Sequence, residues 1–161
     1  MTEDETMAHT NEERPTLAVL FLCIHNAGRS QMALGWLNPL AGGQVIGYSG
    51  GSEPVDQLNP VAVAAMAEVG FDITNETPTR WSNHQLDQAD VVVTMGCGDT
   101  CPSLPGKRYE DWPLDDPAGL DLAAVRPIRD AIAERVRTLL TSLGVPATEP
   151  TRLEGDQPPL P

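Results

Sequence analysis

The stretch Val19-Leu20-Phe21-Leu22-Cys23-Ile24-His25-Asn26-Ala27-Gly28-Arg29-Ser30 decides the fold. Thr16 to Cys23 is an almost continuous apolar run with no polar alternation. That pattern predicts a strand covered on both faces, as in a parallel sheet. Directly after the loop, Ser30 to Leu37 reads as a helix: Met32 and Trp36 stand four apart, as do Ala33 and Leu37, and Pro39 limits the run. The corner is therefore a strand, a short loop containing one glycine, and a helix start.

Outward from this corner the same alternation continues. Val45 to Ser49 reads as a second strand and Gly50 to Pro54 as a loop. Asn59-Pro60 supplies a helix cap and a first-turn proline for a helix through Glu68, which Gly70 closes. Ser82 caps a short helix over Asn83 to Gln88, and Asp90 to Met95 is a third buried strand. Lys107 to Trp112 holds a short edge strand. From Val125, with Pro127 in the first turn, Ile128, Ile132 and Val136 form an apolar face extended by Leu139, Leu140 and Leu143, while Arg129, Asp130, Glu134, Arg135 and Arg137 cover the outside. Gly144 ends that helix. The expected organisation is a disordered acidic segment over 1–15, one domain over 16–144 and a disordered proline-rich tail over 145–161. Strands alternating with helices make this an α/β domain with a mostly parallel sheet. A ligand then belongs at the carboxyl ends of the strands, where Cys23, the loop after Met95 and the loop around Asp116 meet.

The 161 residues suffice for one domain with a real core. Against 10 Lys+Arg stand 23 Asp+Glu, a formal net charge of -13. Such a chain repels nucleic acid and anionic membranes, so neither is an expected partner. Met1 to Thr10 is acidic and has no apolar core of a secretory signal, and no apolar run could cross a bilayer. Three cysteines, Cys23, Cys97 and Cys101, make a poor disulfide scaffold and fit a reducing, cytoplasmic setting.

The chemistry sits in the loop. A tight turn between strand and helix aims successive N–H groups inward, and such a nest binds a tetrahedral oxyanion at the positive end of the helix. Ile24, His25, Asn26, Ala27 and Gly28 form that loop, and Arg29 adds a bidentate grip. The same environment favours a thiolate at Cys23, suited to attack on phosphate or arsenate. Ser30 either caps the helix or hydrogen-bonds the sulfur. Asn26 is suited to hold the loop through side-chain hydrogen bonds in a left-handed conformation. His25 is either a proton carrier or a structural, exposed residue. Asp116, before Pro117, has the position of a general acid; Asp115 competes for that role, and either could simply start a turn. Trp112 and Tyr109 read as anchors for this loop. Cys97 and Cys101 form C-x3-C, open to three readings: a redox pair or relay with Cys23, half of a metal site, or an incidental pair.

Cys23-Ile24-His25-Asn26-Ala27-Gly28-Arg29-Ser30-Gln31-Met32-Ala33 resembles the start of the low-molecular-weight protein tyrosine phosphatase fold family, and within it the arsenate reductases. Asn59-Pro60, Thr94 to Asp99 with Cys101-Pro102, and Trp112 leading to Asp115-Asp116-Pro117-Ala118 strengthen the likeness, which covers about Leu17 to Leu143. The resemblance implies a four-stranded parallel sheet flanked by helices, with Cys23 as nucleophile, Arg29 and the loop amides as oxyanion binders, Ser30 as thiolate support and Asp116 as general acid. The phosphatases carry a tyrosine after their Asp-Pro, where this chain has Ala118. In the thioredoxin-coupled branch, a second and a third cysteine relay a disulfide outward; Cys97 and Cys101 have that order but a shorter spacing, and Gly28 stands where a further loop cysteine is common. Met95 to Pro102 and Val125 to Asp130 look more like the actinobacterial enzymes that transfer arsenate to mycothiol, with mycoredoxin completing the reduction. No bound cofactor is implied, and Leu34 replaces the acidic residue of a potassium site, so no metal is expected. The resulting expectation is an arsenate reductase of the arsenate-mycothiol transferase type. The alternatives are thioredoxin coupling, a small phosphatase and, least favoured, a non-catalytic oxyanion-binding protein.

Overall fold

A computed structural model describes residues 17–96 and 106–148. The expectations for the acidic lead-in, for the tail beyond Thr148, and for Cys97 and Cys101 lie outside the described residues. In order, the elements are β1 (Leu17–Cys23), α1 (Arg29–Ala41), β2 (Val45–Gly51), α2 (Pro60–Glu68), α3 (Asn83–Gln88), β3 (Val91–Thr94), β4 (Arg108–Asp111) and α4 (Leu122–Ser142). The four strands form one sheet in the order β2-β1-β3-β4, and every pair is parallel. This is the four-stranded α/β fold that the sequence predicts.

Side chains alternate across a strand, and β1 shows the consequence. Val19, Phe21 and Cys23 face the larger core under α1, α2 and α4, whereas Leu20 and Leu22 face a smaller cluster with Leu86, Ala89 and Val92. The period therefore sends the Cys23 sulfur toward the start of α1. Chain order reverses beside β1, because β2 and β3 flank it, which is where parallel sheets open a ligand crevice. Trp112, just past β4, is buried against Phe21, with ring centroids 5.7 Å apart. It anchors the Asp116 loop as expected.

Several boundaries differ from the sequence reading. α1 does not stop before Pro39 but continues to Ala41, because Leu40 and Ala41 are fully buried and their burial outweighs one lost backbone bond. β2 runs on through Gly50 and Gly51. A Cβ at Gly51 would lie 2.6 Å from the Ile24 oxygen, so only glycine lets the strand pass beneath the loop. α4 begins at Leu122 rather than Val125, capped by Asp121, whose side chain accepts from the Ala124 N–H, and Pro127 falls inside it. Arg129 is not on the outer face: it is buried, donating to the Ala65 carbonyl and to Glu68 of α2 and to its neighbour Asp130. The predicted domain end at 144 falls short, since Val145 packs in the core and the Thr148 N–H donates to the Leu40 carbonyl at 2.7 Å. No helix among the described residues is long and apolar enough to cross a membrane.

Candidate active site

The loop between β1 and α1 is shaped from outside. The carbonyls of Cys23, Ile24, His25 and Ala27 accept hydrogen bonds from the N–H groups of Ser52, Glu53, Val55 and Asn59, at 2.7–3.3 Å. The Asn26 carbonyl accepts from Gln31 Nε2 at 3.1 Å. Five consecutive carbonyls are thus turned outward. In a trans peptide the C=O and the following N–H point oppositely, and no cis bond occurs here. The amides of Ile24, His25, Asn26, Ala27 and Gly28 consequently turn away from those partners, as an oxyanion nest requires. The Gly28 carbonyl begins the α1 ladder by accepting from Met32, so the positive end of that helix abuts the nest.

Asn26 is the keystone behind the loop. It is fully buried at φ 52°, the left-handed conformation that its short polar side chain tolerates. Its Oδ1 accepts from the Thr79 N–H at 2.9 Å and from Gln31 Nε2 at 3.1 Å. Its Nδ2 donates to Ser30 Oγ at 2.7 Å. Ser30 Oγ in turn lies 2.9 Å from Cys23 Sγ. Because the Ser30 oxygen is already an acceptor from Asn26, its own proton is free to donate to the sulfur, the arrangement that supports a thiolate. Ser30 makes no side-chain helix cap; its hydroxyl contacts Asn26 Nδ2 and the Cys23 sulfur instead.

Arg29 is buried in the first turn of α1. Its Nη1 donates to the Leu114 carbonyl at 3.2 Å, and its Nη2 lies 3.6 Å from Asp116 Oδ2. The guanidinium passes Gly96, the residue after Met95, so closely that a Cβ there would come within 2.5 Å of Nη1. Asp116 Oδ1 accepts from the Ala118 N–H at 3.0 Å, an Asx turn that fixes the carboxylate. Pro117 then covers Gly28, where any Cβ would meet the proline ring at 2.7 Å. Gly28 is thus required by the approach of the acidic loop.

These pieces share one cleft of about 620 Å³ lined by Cys23, His25, Gly28, Arg29 and Asp116 among others. Asp115 is exposed and does not line it, which separates the two carboxylates. His25 lines the cleft half-buried. Ile24 contributes backbone, and its side chain packs against the smaller core. Among the described residues no group of three or more His, Cys, Asp or Glu could hold a metal ion, and Leu34 is buried against Gly47. Sequence reasoning gave Gln31, Thr79 and Gly96 no role. Gln31 and Thr79 act through Asn26, and nothing in their local sequence announces it.

The chain belongs to the low molecular weight phosphotyrosine protein phosphatase family, whose profile matches residues 18–147. Within that family its curated relatives include the glutaredoxin arsenate reductase of Synechocystis, 38% identical over 128 residues, covering 78% of this chain and 97% of the relative. Arsenate reductase 2 of Staphylococcus haemolyticus is 40% identical over 127 residues, covering 76% and 95% respectively. Among solved structures, the Corynebacterium glutamicum thioredoxin-dependent arsenate reductase superposes with a TM-score of 0.72 at 36% identity, covering 88% of this chain and 71% of that one. An arsenate reductase in the phosphate binding state gives 0.70 at 37% identity, covering 78% and 98%.

Proposed function

We propose that this protein is an arsenate reductase in which Cys23 is the nucleophile. The observation that carries the reading is Cys23 Sγ, 2.9 Å from Ser30 Oγ, in a cleft shared with Arg29 and Asp116. The Cys23 thiolate attacks arsenic, forming an S–As bond while one As–O bond breaks. Asp116 delivers the proton with which the departing oxygen leaves as water. Arg29 and the loop amides hold the remaining oxygens. No protein group oxidises or reduces arsenic in this step; the electrons come from a thiol.

The thiol donor that the sequence resemblance favours is mycothiol. Its thiolate displaces Cys23 at arsenic, regenerating the enzyme, and mycoredoxin then attacks the mycothiol sulfur so that the electron pair of the S–As bond reduces As(V) to As(III). A second reading, supported by the thioredoxin-dependent corynebacterial relative, has a protein dithiol or Cys97 attack the Cys23 sulfur itself. That attack gives a disulfide and releases arsenite. Arsenite formation measured with mycothiol plus mycoredoxin, and separately with thioredoxin plus its reductase, tests both. Arsenite produced at wild-type rate by Cys23→Ser overturns the mechanism, and no arsenite in either system overturns the function. Turnover of an aryl phosphate far above any arsenate rate would assign the site to phosphomonoesters instead.

A further inference from the structure

The cleft is larger than a tetrahedral oxyanion needs. At about 620 Å³ it falls in the size range of sites for whole organic ligands. Beyond Cys23 its lining is largely apolar, with Val55, Leu58 and Val61 from one segment and Ala118 and Leu120 from another. An oxyanion gains nothing from these side chains. Val55 and Leu120 are also 41% and 37% exposed, two of the three large hydrophobic residues that stand out on the described surface. Single exposed apolar residues are ordinary; these two stand together on the lining of the reactive cleft.

Charge narrows the occupant. Residues 52–61 and 113–122, which supply this lining, contain Glu53, Asp56, Asp115, Asp116 and Asp121 and no Lys or Arg; the cations reaching them from outside the cleft lining include Arg80, which donates to the Ser52 carbonyl, and Arg126, which interacts with Asp121. All five carboxylate residues are exposed. The cation lining the cleft, Arg29, is buried and faces Asp116. An excess of carboxylates around the cleft attracts an apolar surface ringed by positive charge.

We infer that these two segments form the docking face for a protein dithiol whose reactive cysteine lies on an apolar loop flanked by Lys or Arg. The inference rests on the second reading above, in which a protein dithiol attacks the Cys23 sulfur, and not on the mycothiol route. Docked there, the partner's thiolate attacks the Cys23 sulfur bearing arsenic. An S–S bond forms, the S–As bond breaks, and its electron pair leaves with arsenic as arsenite. The partner's second thiol then attacks its own sulfur in the mixed disulfide, which returns Cys23 as a thiolate and leaves the partner oxidised.

The test avoids arsenic, so its outcome is independent of the proposed function. In a C97S/C101S background, Cys23 is converted to its 2-pyridyl disulfide, and release of pyridine-2-thione is followed after adding a thiol. The thiols are two cysteine peptides of equal length with Trp and Leu beside the cysteine, one ending in lysines and one in glutamates, and dithiothreitol as a small neutral reference. The lysine-ended peptide should react about tenfold faster than the glutamate-ended one at low salt, with the gap closing near ~0.5 M salt. E53K/D56K should remove most of that preference, while D87K/E134K, on α3 and α4 outside the cleft, should keep it. V55S/L120S should slow both peptides severalfold and leave dithiothreitol unchanged. Equal rates for the two peptides, equal effects of the two charge pairs, or dithiothreitol slowed as much as the peptides would each overturn the inference.

Discussion

Gln31 Nε2 sits 3.1 Å from both the backbone oxygen and the side-chain Oδ1 of Asn26. One amide thus fixes the main chain and the side chain of the residue that holds Ser30 against the sulfur. Both residues are buried, so neither can borrow water if the pair is broken. Gln31→Leu should cost about 1 kcal/mol of stability, because the Asn26 backbone oxygen loses its partner while Oδ1 keeps the Thr79 N–H and the unpartnered Gln31 Oε1 is removed. It should also lower kcat for arsenate by more than tenfold with little change in KM, because the loop amides remain anchored to residues 52–59. Denaturant unfolding and steady-state kinetics on the same preparation check it; a stability loss with unchanged kcat would make Gln31 purely structural.

Ser30→Ala removes the donor to Cys23 and leaves Asn26 Nδ2 without its acceptor. A hydrogen bond to a charged group contributes about 1.5–3 kcal/mol, part of which is offset because the freed sulfur is a better nucleophile, so alkylation of Cys23 by iodoacetamide should slow by about four- to fifteenfold. Ser30→Thr, which keeps the hydroxyl, should recover part of the rate.

The two neighbouring carboxylates should separate cleanly. Asp116→Asn should lower kcat by about 10²-fold, the usual scale for losing a general acid, with arsenate KM nearly unchanged. Asp115→Asn should stay within about twofold of wild type, because Asp115 is exposed and outside the cleft. A loss in Asp115→Asn larger than that in Asp116→Asn would return the assignment to Asp115.

Gly28→Ala should push Pro117 outward, since the added carbon would sit 2.7 Å from its ring. The Asp116 turn moves with it, so kcat should fall by about tenfold or more. Pro117→Ala in the same chain should restore part of the activity. Failure of the double variant to improve on Gly28→Ala would locate the damage in the loop instead.

Acid stability should report on the join between α2 and α4. The Glu68 carboxyl is lowered from 4.5 to about 2, chiefly by its hydrogen bond from Arg126, with Arg129 adding to it against partial desolvation. A carboxylate held below its unfolded value stabilises the fold above that value and loses the contribution as pH falls through its folded one. The stabilisation from Glu68 should thus be complete above about pH 4.5 and fade toward pH 2. Glu68→Gln should be less stable than wild type at pH 7, and the two denaturation midpoints should converge between pH 4.5 and 2.

The parts of this protein written in short-range patterns were legible from residues alone. The apolar run into Cys23 gave β1, Asn59-Pro60 and Ser82 gave two helix starts, and Asn26 took the left-handed conformation its chemistry allows. What escaped was set by partners far along the chain. Arg129 reads as an outer-face residue until Ala65 and Glu68 come beside it. Pro39 reads as a stop until burial of Leu40 and Ala41 is counted. Thr79 contributes only a backbone N–H to Asn26, 53 positions away, and no residue type signals that.

The outward anchoring of the loop carbonyls has a consequence for selectivity. Their amides are aimed before any anion arrives, so little ordering entropy opposes binding. A cradle of N–H groups senses tetrahedral shape and charge, and it is indifferent to the atom at the centre. Arsenate and phosphate present nearly the same outline to it. In the proposed reaction, discrimination then falls to the bond that sulfur makes after binding, and phosphate becomes an unavoidable competitor. The rate inside a cell would follow the ratio of the two oxyanions rather than the amount of arsenate alone.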